Sequence, residues 1–224
     1  MNPFTSRFSP SRAVAVALAA TGLALALGAC APILLGGAVV GGTLVAADRR
    51  TSGAQLEDEG IELRSNARLR DASLAERGHI NVTSYNRQVL LTGEVASDKD
   101  KQQTEQIVAK VDNVRSVVNE LAVIGNSTLT QRSSDSLVTG RAKAALVDAK
   151  DLYANAFKVV TERGTVYLMG RVSQREANRA TEVIRSVSGV QRLVRVLEVI
   201  SEEELQRVLP AAPVSDAQPA STSK

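Results

Sequence analysis

The sequence predicts an α+β protein: two tandem copies of one αββαβ module, each a three-stranded sheet covered by two helices, behind a processed N-terminal segment. Three observations carry this. The first is an internal repeat. Ile80-Asn81-Val82-Thr83 followed by Val89-Leu90-Leu91-Thr92-Gly93-Glu94-Val95 returns as Phe157-Lys158-Val159-Val160 followed by Val166-Tyr167-Leu168-Met169-Gly170-Arg171-Val172. From Asp58 to Gly93 the copies align without a gap at an offset of 77, and after a loss of one residue they re-align, ending at Val123 and Val199. The second is strand alternation, Val89-Leu91-Gly93-Val95 and Val166-Leu168-Gly170-Val172. The third is helical spacing: Ile61, Ser65 and Leu69 in one copy and Val138, Ala142 and Leu146 in the other recur at i, i+4, i+8, a core-facing stripe.

Residues 1–29 read as a signal peptide. Arg7 and Arg12 form a positive start without acidic residues, and the apolar run from Ala13 to Leu27 is shorter than the roughly 20 residues that a spanning helix needs. The run closes in Leu27-Gly28-Ala29-Cys30, which resembles the bacterial lipobox. Small side chains there let a processing enzyme reach the extended backbone beside the thiol. Cys30 is the only cysteine, so no disulfide framework competes for it, and lipidation at Cys30 is expected. Ala31 rather than aspartate follows, which in the enterobacterial sorting pattern favours export to the outer membrane, facing the periplasm. Three acyl chains would anchor the protein firmly, since each buried CH₂ contributes about 0.8 kcal/mol.

Residues 30–53 are apolar and Gly-rich and close in Asp48-Arg49-Arg50; they read as a tether on or near the bilayer surface. A second transmembrane helix is the competing reading of Pro32 to Ala47, a short run holding four glycines. Module 1 is expected over 54–124, a linker over 125–132, module 2 over 133–201, and a C-terminal extension, largely a disordered tail, over 202–224. In each module the first helix is followed by two strands around a turn, Tyr85-Asn86-Arg87-Gln88 or Glu162-Arg163-Gly164-Thr165. A second helix is expected over Lys99–Val111 and Arg175–Val187, and a last strand over Val117–Val123 and Leu193–Val199.

This grammar resembles the BON domain, whose αββαβ modules carry a glycine after the second strand and a "GV..V.N.L.V" ending. Here the endings stand as Asn113-Val114-Arg115-Ser116-Val117-Val118-Asn119-Glu120-Leu121-Ala122-Val123 and Gly189-Val190-Gln191-Arg192-Leu193-Val194-Arg195-Val196-Leu197-Glu198-Val199, with Arg195 in place of the usual asparagine. The resemblance covers 54–201 in two copies. With the lipobox, the whole is similar to the dual-BON outer-membrane lipoproteins of Gram-negative bacteria. The resemblance implies binding of anionic phospholipid through the second module, support of outer-membrane integrity, and recruitment to division sites.

Charge bears on this independently. Without Arg7 and Arg12 the mature chain is near +1, so overall basicity does not point to nucleic acid, and three Phe, three Tyr and no Trp offer no stacking platform. Residues 54–124 hold 9 basic and 12 acidic groups, whereas residues 132–200 hold 12 and 7. A positive second module suits anionic headgroups; drift between duplicated modules on a solvated face is the plainer alternative. With Val138, Ala142 and Leu146 turned inward, Leu137, Gly140, Ala144 and Val147 fall outward, flanked by Arg141 and Lys143. These six are the candidate lipid-binding residues: an apolar ridge for the acyl boundary, with cations for the phosphates. Packing against the other module or a partner protein is the rival use of the ridge. In the lipid-binding relative the position of Leu137 is an aromatic that embeds in the bilayer, and this chain departs there. Module 1 has Gly60 at that point, after Glu57, Asp58 and Glu59, a poor lipid surface.

No catalytic, cofactor or metal site is nominated. His79 is the only histidine and reads as a solvated turn residue; with Cys30 acylated no thiol nucleophile remains. Asp98 and Asp100 read as helix-start charge and Glu202-Glu203-Glu204 as a solvated run. Gly36-Gly37 and Gly41-Gly42 lack the strand and helix of a phosphate loop. The expected partner is an anionic phospholipid membrane, with neither nucleic acid nor a small-molecule substrate. The alternatives are a protein-interaction adaptor for envelope proteins, such as outer-membrane assembly or cell-wall hydrolase activation, and a periplasmic chaperone.

Overall fold

In the computed structural model, which describes residues 48–208, both modules take the expected αββαβ path. Cys30, the signal segment, the tether up to residue 47 and the tail from 209 lie outside the described residues. Module 1 runs α1 (Ser52–Asp71), a single turn α2 (Leu74–Arg77), β1 (His79–Tyr85), β2 (Gln88–Val95), α3 (Asp98–Ala109), β3 (Ser116–Asn119) and β4 (Ala122–Val123). Module 2 runs α4 (Leu129–Asp148), a 3-10 turn (Ala154–Ala156), β5 (Phe157–Glu162), β6 (Thr165–Ser173), α5 (Gln174–Arg185), β7 (Arg192–Ile200) and a closing helix α6 (Glu202–Val208).

In each sheet the second strand is central. β1 pairs antiparallel with β2, and β3 and β4 pair parallel with it; β5, β6 and β7 repeat the arrangement. The last strand of module 1 is broken at Glu120-Leu121, because Leu121 turns into the core with 1% exposure. The second helices end at Ala109 and Arg185, two residues earlier than their apolar pattern suggests.

The hairpins are built alike. Asn86 and Arg87 both have positive φ (50° and 66°), as do Arg163 and Gly164 (52° and 71°), which marks two-residue type I′ turns. Each turn is held from the first helix by an aspartate at the repeat offset. Asp58 Oδ2 accepts from the Asn86 N–H (2.7 Å) and Oδ1 from the Arg87 N–H (2.8 Å); Asp135 accepts from the Arg163 and Gly164 N–H groups (2.7 and 2.8 Å). Asp58, read as surface charge, is therefore buried at 2% exposure, because the turn needs an acceptor beneath it. Gly93 answers a close approach: its φ is +112°, and a Cβ there would lie 1.9 Å from the His79 carbonyl.

The helices cover one face of each sheet. Ile61, Leu69, Val89, Leu91, Val95 and Val108 form the core of module 1, and Val138, Leu146, Val166, Leu168, Val172 and Ile184 that of module 2. The opposite faces are not solvated. They pack against each other through Tyr85, Leu90, Tyr167, Met169 and Val196, all buried. This is why Leu90, Thr92 and Glu94, on the far side of β2, are fully buried. Polar links surround the contact: Lys158 Nζ donates to Glu62 (2.9 Å), Asn86 to Glu198 (2.6 Å), and Tyr85 Oη to the Ala156 carbonyl (3.2 Å).

The end of the expected tether, residues 48–50, packs into the body. Arg49 makes a two-pronged pair with Glu176 of module 2 (2.7 and 2.6 Å), with the two side chains 0% and 1% exposed. Arg50 pairs with Asp58 of module 1 (2.7 Å) and lies 4.3 Å above the Tyr85 ring. Consecutive arginines thus fasten the chain to both modules. At the other end, Glu202–Glu204 form the first turn of α6 rather than a free run; Leu205 is buried, and Glu204 pairs with Arg171.

Candidate membrane-contact site

The candidate site is the outer face of α4. A capping box starts this helix: Thr128 Oγ1 accepts from the Gln131 N–H (3.2 Å), and Gln131 Oε1 accepts from the Thr128 N–H (2.9 Å). The box places Asp135, Val138, Ala142 and Leu146 inward. At 100° per residue the opposite direction falls between Gly140 and Ala144, with Leu137 beside them. Leu137 and Val147 are 62% and 61% exposed, and Gly140, Arg141, Lys143 and Ala144 are exposed with them. Nothing lies within 4 Å of a Cβ built on Gly140, so the ridge is open there. All six candidate residues share one surface, and the other module does not cover it.

Arg141 and Lys143 stand on either side of the ridge. Among the described residues Arg141 makes one long hydrogen bond, to the Ser188 carbonyl (3.5 Å), and no ion pair. The sequence pattern missed Leu129, which extends the ridge by two turns and is 80% exposed. It fell in the expected linker, although the Thr128-x-x-Gln131 box already marks a helix start there.

Module 1 has a corresponding surface with the opposite flanks. Leu56 and Leu63 are 70% and 71% exposed on α1, one on each side of Gly60, and neither was singled out by the pattern. Glu57 pairs with Arg64 (2.6 Å); the Asn113 amide and then Arg64 hold its carboxyl below the usual glutamate range. Exposed leucine alone does not separate the two helices. Their flanks differ: Glu57, paired with Arg64, and Glu59 stand beside the α1 leucines, whereas Arg141 and Lys143 stand beside the α4 ridge.

The remaining residues are placed as follows. Asp98 and Asp100 sit in the first turn of α3, where Ser97 caps the helix. His79 is not a solvated turn residue: it opens β1, and its Nδ1 is buried 3.6 Å from Glu94. Among the described residues no helix is long and apolar enough to cross a membrane.

Comparison with known proteins fits this architecture. The BON domain family model matches residues 57–125 and 134–201, one match per module. The chain belongs to the BON-domain family. It is 34% identical over 193 residues to outer membrane lipoprotein DolP of Haemophilus influenzae, covering 86% of this chain and 98% of that protein. It is 34% identical over 154 residues to a 21 kDa hemolysin of Actinobacillus pleuropneumoniae (68% of this chain, 79% of that one). The osmotically-inducible protein Y of Escherichia coli is 28% identical over 138 residues (60% and 69%). As a BON protein the chain has its two family modules joined sheet to sheet, which leaves the outer helices α1 and α4 free to meet a surface.

Proposed function

We propose that this BON protein is an outer-membrane lipoprotein, acylated at Cys30 and facing the periplasm, that binds anionic phospholipid through α4 of its second module. In this role it helps maintain envelope integrity, including at division sites. The similarity to DolP over nearly the whole of both chains supports the setting. The observation that carries the lipid reading is the open ridge of Leu129, Leu137, Ala144 and Val147 between Arg141 and Lys143, on the side of α4 opposite the core. The leucines enter the acyl boundary while the cations remain with phosphates, each contributing about 1 kcal/mol near an anionic surface. The Cys30 anchor holds this weaker site at high local concentration beside the membrane it reads.

The test is flotation of residues 48–224 with liposomes. The fragment is expected to float with phosphatidylglycerol or cardiolipin vesicles and to stay down with phosphatidylcholine. Leu137→Glu, at a solvent-exposed position, is expected to leave the fold intact and reduce flotation about tenfold or more, since a buried carboxylate replaces an apolar anchor. Equal flotation of the variant refutes the site.

One observation favours an adaptor role elsewhere on the molecule. Leu56 and Leu63 beside Glu57 and Glu59 form an apolar surface that anionic lipid would repel and that a basic envelope protein would fit.

A further inference from the structure

The two modules are related by the repeat offset, so corresponding corners of their sheet-to-sheet contact can be compared. At one corner Tyr85 Oη donates to the Ala156 carbonyl (3.2 Å), and Arg171 finds Glu198 and Glu204. The positions 77 residues away from Tyr85, Ala156 and Arg171 are Glu162, His79 and Glu94. No tyrosine closes that second corner. His79 and Glu94 are direct partners in the β1–β2 register, so both side chains leave the same face of sheet 1. Glu162, the last residue of β5, meets them from sheet 2. One ligand atom from each of the three lies within 4.8 Å of the others.

One polar atom of this corner has no partner among the described residues. The Nδ1 atom of His79 is buried without a hydrogen-bond partner; Glu94 Oε2 is 3.6 Å away, too far for a hydrogen bond. Two carboxylates also share the corner, Glu94 at 0% exposure and Glu162 at 7%. Asp135 faces the same cleft as Glu162. The facing cations are Arg163, 3.5 Å from Glu94 Oε1, and Arg132, whose Nε donates to Ser127.

We propose that His79, Glu94 and Glu162 form a site for a divalent transition metal, zinc in the first instance, that staples the two modules together. Zinc lies about 2.0–2.2 Å from imidazole nitrogen and carboxylate oxygen, so tetrahedral ligand atoms stand about 3.4 Å apart. The 3.6 Å between His79 Nδ1 and Glu94 Oε2 already matches, and a Glu162 carboxylate oxygen lies within 4.8 Å of both ligand atoms. The outer supports that metal sites require are present: Ser127 Oγ donates to Glu94 (3.2 Å) and Asn81 Nδ2 to Glu162 (2.9 Å). An imidazole with two carboxylates selects zinc, cobalt or manganese over calcium and magnesium, which take oxygen alone. A fourth position opens on the cleft lined by Asn81, Arg132, Thr139 and Thr161, where water completes the shell.

The test uses the full-length chain in detergent micelles, stripped with chelator and titrated with zinc and with cobalt by calorimetry and visible absorption. One equivalent of zinc per chain is expected, with a rise of several degrees in melting temperature that calcium and magnesium do not reproduce. His79→Gln and Glu162→Gln, each checked for folding by circular dichroism without metal, should weaken binding about tenfold or more. Absence of stoichiometric binding, equal stabilisation by calcium, or undiminished binding in both variants would overturn the proposal. The last result would also locate the metal elsewhere on the chain.

Discussion

Replacing Glu176 with alanine is expected to lower stability by about 3–5 kcal/mol, the loss seen when one partner of a buried ion pair is removed and the other charge stays behind. Arg49 is fully buried against this carboxylate, and its guanidinium also donates to the Arg171 carbonyl (3.1 Å), so it has no short route to water. Glu176 additionally completes the capping box of α5, accepting from the Ser173 N–H (3.0 Å). Urea unfolding of the wild type, Glu176→Ala, Arg49→Ala and the double variant measures this directly. The double variant should lose less than the sum of the singles, because the two side chains act as one unit. Strict additivity would show that the arginine makes no coupled contact with module 2.

Removing Asp58 should cost about 3 kcal/mol, and removing Asp135 less, about 2 kcal/mol, although the two occupy the same position in the repeat. Each leaves two turn N–H groups without their acceptor. Asp58→Ala also strips partners from Ser84 Oγ (2.6 Å) and Arg50 (2.7 Å), contacts that Asp135 lacks. Acid should reveal the same groups. Burial alone would raise the Asp58 carboxyl, but hydrogen bonds from Ser84, the Arg87 N–H, Arg50 and the Asn86 N–H outweigh it and hold the pKa below the usual aspartate range. Burial likewise opposes, and Arg49 and the Ser173 N–H outweigh, at Glu176. Folded-state values depressed in this way give stability that is complete above the unfolded values of about 3.9 and 4.3, and that is lost as pH falls through the lower folded values. Thermal melts between pH 7 and pH 3 should therefore fall steeply on the acid side, and less steeply in Asp58→Asn and Glu176→Gln.

Much of the fold was legible because the repeat supplied every periodic signal twice. The stripes Ile61-Ser65-Leu69 and Val138-Ala142-Leu146 are buried as their spacing requires, and both turns fall where the pattern stops. What escaped were long-range relations. Alternation in β2 and β6 marks the helix-covered face, but nothing local says that Leu90 and Met169 meet across a second contact. Asp58 and Arg49 look like ordinary surface charges until a turn and a second module bring them partners. His79 was a lone histidine in one dimension; its two carboxylates come from the paired strand and from the other module. The six ridge residues were legible because a helix face depends only on spacing, whereas Leu129 was lost to a misplaced linker.

On the proposed function, α4 and not α1 is expected to enter an anionic bilayer. The chain contains no tryptophan, so one placed on either helix is a clean reporter. Leu137→Trp and Leu63→Trp, both at exposed positions, can each be titrated with phosphatidylglycerol vesicles while emission is followed. A blue shift is predicted at 137, reversed by salt and absent with phosphatidylcholine, with no shift at 63. An unshifted spectrum at 137, or an equal shift at both positions, would contradict it.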